Sequence, residues 1–397
     1  MMGKQTIAGI IIGLIAIGLL GAGCGPSREE GPAVEPGTPK PGAQLQVLSS
    51  AVEVEFPTAL TFHVEAQGGG DITEIRLRYE VKKIGHAAVI SEVSPEFTSA
   101  SQVKTSWKWD MRKSSLPPGA EVEYSWIVKD SAGSRLETEP TTISFDDDRY
   151  RWETLKAEKL SLFWYRGDEA FAQELMDGAL TALDKLAQDT GAQLQKPVKM
   201  YIYADSSDLR GALVFPREWT GGQAFVEHGI VVIGIGPDEM SWGRRAVAHE
   251  LAHLVTYQIT FNPYGAPPTW LEEGLAMYAE GGLEPRYGSL LQEAASKDEL
   301  FSVQSLGSSF PAHAEKALLA YAQSYSLVDF LIANHGRDKM LQLLKVFQRG
   351  SSYDGALLEI YGFDTGGLDD RWRDSLGLGP RSAGLPAAEP VVALISI

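Results

Sequence analysis

The chain has 397 residues, 44% of them hydrophobic, with 52 acidic against 35 basic side chains and a net charge of −17. That balance excludes a nucleic-acid binder, which needs clustered lysine and arginine to neutralise phosphates. The apolar fraction excludes a disordered chain and is enough for two cores. Cys24 is the only cysteine, so neither an intrachain disulfide nor a cysteine metal cluster is available.

The amino terminus runs Met1-Met2-Gly3-Lys4, then an almost purely apolar stretch from Ile7 to Ala22, then Gly23-Cys24-Gly25-Pro26. A positive start, a short apolar core and small residues before a cysteine make an export signal. The segment resembles a bacterial lipoprotein signal, in which the cysteine is lipidated; Leu20 stands one place early and Gly21 occupies the usual leucine position. The alternative is an uncleaved membrane anchor, since the run approaches the minimum length for a span. Either reading of residues 1–24 places the bulk of the chain outside the cytoplasm and tied to a membrane. Residues 25–43, rich in proline, glycine and charge, read as a linker.

From residue 44 to 148 the hydrophobic pattern has period two. Alternating runs include Val52, Val54, Phe56; Leu60, Phe62, Val64; Ile75, Leu77, Tyr79; and Val122, Tyr124, Trp126, Val128. Turn signals at Gly68-Gly69-Gly70-Asp71, Pro117-Pro118-Gly119 and Asp130-Ser131-Ala132-Gly133 separate them. This spacing predicts an all-β sandwich of about seven strands, and Pro-Gly, Val-x-Tyr-x-Trp and Asp-x-Ala-Gly resemble immunoglobulin or fibronectin type III modules. His63 and His86 are isolated, so the region reads as a spacer or binding module. Asp146-Asp147-Asp148 reads as a charged joint.

The second region, residues 149–379, opens with a strand at Leu160–Tyr165. A helix from Asp168 to Asp189 follows, stopped by Gly191. Strands are predicted at Val198–Tyr203 and Gly229–Gly234, with a loop carrying Trp219-Thr220-Gly221-Gly222 between them. A helix from Trp242 to Ile259 comes next, then a proline-broken loop, then a second helix capped by Thr269 and ending at Gly281-Gly282. Helical segments near 313–335, 337–349, 351–361 and 367–376 complete an α+β region. Residues 380–397 form a tail with too little pattern to place.

The first of those two helices carries His249-Glu250-Leu251-Ala252-His253. Histidines four apart lie on one helix face, so both imidazoles can reach one Zn²⁺, and Glu250 between them is placed to take a proton from water. Val247, Ala248, Leu251, Ala252, Leu254 and Val255 surround them with apolar side chains. A catalytic zinc site needs a third protein ligand and one open position. Trp270-Leu271-Glu272-Glu273-Gly274-Leu275-Ala276, on the next helix, offers a carboxylate from Glu273 or Glu272.

His-Glu-x-x-His followed by Trp-Leu-x-Glu-Gly-x-Ala resembles the gluzincin metallopeptidases, most closely the peptidase MA-like domain, and is similar to the zinc aminopeptidase catalytic domain. The resemblance covers roughly Tyr150 to Leu376. It implies a zincin-type metallopeptidase fold with a helical C-terminal part. It also implies one Zn²⁺ held by His249, His253 and Glu273, Glu250 as general base, and a peptide or protein substrate. The Glu-Gly-x-Ala context selects Glu273, whereas the shorter spacing of the aminopeptidases selects Glu272. The segment Ala320–Tyr325 resembles the helix that supplies a tyrosine hydroxyl to the oxyanion, at Tyr321 or one turn on at Tyr325. Gly221–Phe225 lies where relatives place a substrate-pairing edge strand, but Ala224 and Phe225 stand where aminopeptidases carry a glutamate. Glu280 is placed to orient a ligand. The competing reading is a membrane-anchored binding lipoprotein with a catalytically inactive metal site.

Overall fold

A computed structural model describes residues 44–85, 87–215, 221–311 and 313–381. The signal segment, the whole linker, His86, Trp219, Thr220 and the tail beyond residue 381 lie outside them. Among the described residues no helix is long and apolar enough to cross a membrane.

The first region holds eight strands: β1 (Gln46–Glu55), β2 (Ala59–Gln67), β3 (Ile72–Val81), β4 (Ile90–Val93), β5 (Gln102–Asp110), β6 (Ala120–Asp130), β7 (Arg135–Glu137) and β8 (Thr141–Phe145). They form two antiparallel sheets, β1-β2-β5 and β4-β3-β6-β7, with β8 also pairing β6. Ile72 and Ile75 both point inward although strict alternation forbids it. A register shift between Ile72 and Glu74 supplies the extra residue. The two sheets share one core, in which Phe62 meets the ring of Tyr124 edge-on with centroids 5.2 Å apart, inside the range of roughly 4.5–7 Å that aromatic pairs prefer.

The second region is built on a five-stranded sheet, β12-β13-β11-β10-β9. Its strands are β9 (Glu153–Ala157), β10 (Leu160–Trp164), β11 (Val198–Tyr203), β12 (Gly222–Phe225) and β13 (Ile230–Gly234). The central three are parallel; β9 and β12 run antiparallel at the edges. Helix α1 (Glu169–Thr190) crosses over between β10 and β11, capped by the Asp168 carboxylate and stopped at Gly191 in a left-handed conformation. The short α2 (Ser206–Arg210) follows β11. Then come α3 (Met240–Thr260), α4 (Thr269–Ala279), α5 (Pro285–Ser296), α6 (Ala314–Gln348), α7 (Tyr353–Tyr361) and α8 (Thr365–Ser375). Gly336, at φ 78° and ψ 173°, breaks α6 in two.

Both faces of this sheet are covered. Met200, Ile202, Val231 and Ile233 pack with α1 and α3, whereas Tyr201, Tyr203, Ile230 and Val232 pack into the core of the eight-stranded region. Asp147 belongs to this seam. Its side chain is fully buried, held by the Arg149 guanidinium and accepting the Tyr203 hydroxyl proton at 3.0 Å. The acidic run is thus more than a charged joint, and the apolar core continues across the 148/149 boundary.

One local expectation is corrected, and two elements join those that the periodicity predicts. Pro268, with no side-chain cap, stands at the start of α4, and Thr269 is its first helical residue, with its hydroxyl 3.5 Å from the Gly307 carbonyl. Proline's fixed φ suits the turn into a helix, so the hydroxyl cap is not needed. Strand β9 has only weak alternation, and α5 begins at Pro285, a first-turn proline signal that the periodicity alone does not reveal.

Candidate metal centre

Helix α3 buries Val247, Ala248, Leu251, Ala252, Leu254 and Val255, which fixes the rotation of the helix. The remaining face carries His249 and His253, with ring centroids 4.9 Å apart and about a fifth of each side chain exposed. Helix α4 crosses beside α3 and presents Glu273. One of its oxygens, Oε2, lies 3.5 Å from His249 Nε2 and 3.6 Å from His253 Nε2. Gly274 sets this placement: a Cβ there would fall 2.4 Å from the Ser324 carbonyl oxygen of α6. The same close approach brings Tyr321, one turn earlier on α6, to His249, with ring centroids 6.4 Å apart. Tyr325 instead stacks on Tyr278 at 6.0 Å. Glu272 is outside the trio, so the Glu273 alternative is the one the geometry assembles.

The donor set fits a zinc ion. One ligand atom from each of His249, His253 and Glu273 lies within 4.8 Å of the others. Donors of a tetrahedral zinc, each at roughly 2.0–2.2 Å, lie roughly 3.4 Å apart, close to the two separations found. Glu273 Oε2 is buried and has no hydrogen-bond partner among the described residues, an orphan that a cation would satisfy. On the far side of the ring, His249 Nδ1 is 2.9 Å from Glu280 Oε1. A carboxylate there only accepts, so Nδ1 donates, and with a metal bound Nε2 would be the nitrogen that offers it a lone pair.

The charges agree with a coupled site. Burial opposes a charge on His249, but Glu273 and Glu280 outweigh it and hold the imidazole up at about 10. Burial pushes His253 down to about 4. Burial also raises Glu273, yet the neighbouring imidazoles, His249 first, reverse this and leave it below the ordinary carboxylate value. A divalent cation bound by this set would displace the shared proton.

Glu250 lies beside the trio. Burial lifts its carboxyl to about 7, against the pull of His249, the range a general base needs at neutral pH. Two features of β12 hold it. The Ala224 backbone N–H donates to the carboxylate, and Gly222 makes room for it: a Cβ there would sit 3.0 Å from Oε1. Sequence reasoning placed β12 near the site but missed both contacts, since neither residue bears a reactive group. It also missed Arg245, which binds Glu280 through Nε at 3.0 Å and Nη2 at 2.6 Å; its position one turn before His249 was the available signal.

The mixed sheet and the His-His-Glu set define the class as a gluzincin-like peptidase domain. Residues 178–377, half of the chain and all of the site, match the model of the Peptidase MA superfamily. The chain belongs to that superfamily. Solved structures similar to it include an M1 zinc metallopeptidase from Deinococcus radiodurans, at 13% identity and a TM-score of 0.35, covering 88% of this chain and 96% of that one. An aminopeptidase N family protein from Idiomarina loihiensis is similar at 11% identity and a TM-score of 0.37, covering 82% and 74%. A family 56 β-1,3-glucan-binding module matches 25% of this chain and 99% of its own, at 15% identity and a TM-score of 0.16. These likenesses are remote, and the assignment stands on the family match. No curated protein matches the chain.

Proposed function

We propose that this chain is a zinc-dependent peptidase that hydrolyses peptide bonds outside the cytoplasm, with His249, His253 and Glu273 as ligands and Glu250 as general base. The observation that carries the reading is the convergence of the two imidazoles on a buried, unpartnered carboxylate oxygen, with a carboxyl raised to about 7 beside them. Zinc held there supplies Lewis acidity and brings the pKa of a water towards about 7. Glu250 takes the proton of the attacking water and later gives it to the leaving amine. Tyr321 donates its hydroxyl proton to the developing oxyanion.

Among the described residues no strand pairs with the outer edge of β12, which suits an extended substrate backbone added alongside it. Ala224 and Phe225 offer no carboxylate for a free amino terminus, which favours cleavage within chains. The eight-stranded region is an immunoglobulin or fibronectin type III-like module, and Cys24 is the lipidated anchor. A peptide-library digest read by mass spectrometry tests the peptidase reading: cleavage should occur with wild-type protein, and disappear with a chelator or with Glu250→Gln. Zinc bound at full stoichiometry with no cleavage dependent on Glu250 would instead establish an inactive binding protein.

A further inference from the structure

The Glu280 carboxylate is used in an unusual way. An arginine fork normally spreads over both oxygens of a carboxylate. Here Nε and Nη2 of Arg245 both fall on Oε2, at 3.0 and 2.6 Å, and Oε1 is left to His249 Nδ1 at 2.9 Å. The third guanidinium nitrogen, Nη1, binds Glu284. Arg245 and His249 are four residues apart on α3 and therefore on one face. Glu280 closes the end of α4, and Glu284 stands at the start of α5. One guanidinium thus ties three helices together immediately behind a ligand. Arg245 and Glu280 are a quarter and a ninth exposed, so water does not readily replace either partner.

We propose that Arg245 is a positioning residue for the metal centre: it holds Glu280 in the one orientation that aims His249 Nε2 at Glu273. This rests on the zinc reading of the site. Without the fork, Glu280 is free to turn about its own torsions and His249 loses the acceptor that fixes its tautomer and ring plane. The dependence runs through a chain of two contacts, so it predicts coupling between Arg245 and Glu280 rather than a general loss of packing.

The test is zinc affinity, by competition with a chromophoric chelator, and the visible spectrum of the cobalt-substituted protein. The proteins are wild type, Arg245→Met, Arg245→Lys, Glu280→Gln and the double variant Arg245→Met with Glu280→Gln, with thermal melting to confirm folding. Arg245→Met should weaken zinc about tenfold and alter the cobalt spectrum, within the 10–100-fold range of such outer partners. Arg245→Lys, which keeps the charge but not the fork, should restore part of the affinity. In the Glu280→Gln background the arginine change should cost little more. Wild-type affinity and spectrum in Arg245→Met would overturn the proposal, as would losses that simply add in the double variant. A folded wild type that binds no zinc would remove the metal reading itself, and this result is distinct from both.

Discussion

Gly222→Ala is the most direct probe of how β12 governs the base. Gly222 is not among the glycines at positive φ, so alanine adopts its backbone without strain. The added Cβ would lie 3.0 Å from Glu250 Oε1, 3.3 Å from its Cγ and 3.4 Å from its Cδ. Carbon atoms at rest prefer about 3.5–4.0 Å, so the carboxylate must retreat by a few tenths of an ångström. A misplacement of about 1 Å costs on the order of 100-fold; this smaller shift should lower kcat by about three- to tenfold. Gly222→Val, with two further carbons, should approach the full 100-fold. Neither variant touches His249, His253 or Glu273, so zinc affinity should stay at the wild-type value. The assay is steady-state cleavage of a quenched fluorescent peptide, with zinc content measured in parallel. Wild-type kcat in both variants, or a loss that tracks zinc content, would refute the idea that this space exists for Glu250.

Four other outcomes follow from the same geometry. Glu250 acts only when ionised and its carboxyl is raised to about 7, so kcat/KM should fall as pH drops, with an acid limb between the ordinary 4.5 and about 7, lowered by any cation beside it. The linked stability has the opposite sense. A carboxyl raised in the fold costs nothing below the unfolded value and its full penalty above about 7, so Glu250→Gln should raise stability in chelator at pH 8 by about 3 kcal/mol and not at pH 4; equal melting curves at both pH values would contradict this. Gly274→Ala would put a Cβ 2.4 Å from the Ser324 carbonyl and 2.6 Å from Val328 Cγ2. Two helices must separate, which should cost about 3 kcal/mol in urea unfolding and weaken zinc binding as Glu273 moves. Tyr321→Phe should lower kcat on the order of 100-fold with little change in KM, whereas Tyr325→Phe, against Tyr278, should leave kcat within about twofold; the reverse pattern would move the oxyanion role one turn along α6.

The parts of the site that were legible in the sequence obey local periodicity. His249 and His253 share a face because four residues make about one helical turn, and Glu273 is marked by the residues around it. What escaped depends on pieces brought together from afar. Gly222 matters only because β12 passes Glu250, and Arg245 matters only because α4 ends where it does. Glu280 lay between the two cases, since its distance from Glu273 suggested a supporting role but not which histidine it would hold. The order β10, α1, β11, β13, α3 was readable from alternation and caps, whereas β12 came only from the family resemblance and the short α2 carries too little pattern to show. The covering of the second sheet face was not, although the near-continuous apolar runs Met200–Tyr203 and Ile230–Ile233 carry the mark of strands buried on both sides.

That doubly covered sheet has a practical consequence for anyone dissecting the protein. A fragment trimmed to begin at residue 149 would leave Tyr201, Tyr203, Ile230 and Val232 facing water, each forgoing roughly 1.5–3 kcal/mol of burial. Such a fragment should aggregate, and its inactivity would report on a stripped wall rather than on chemistry.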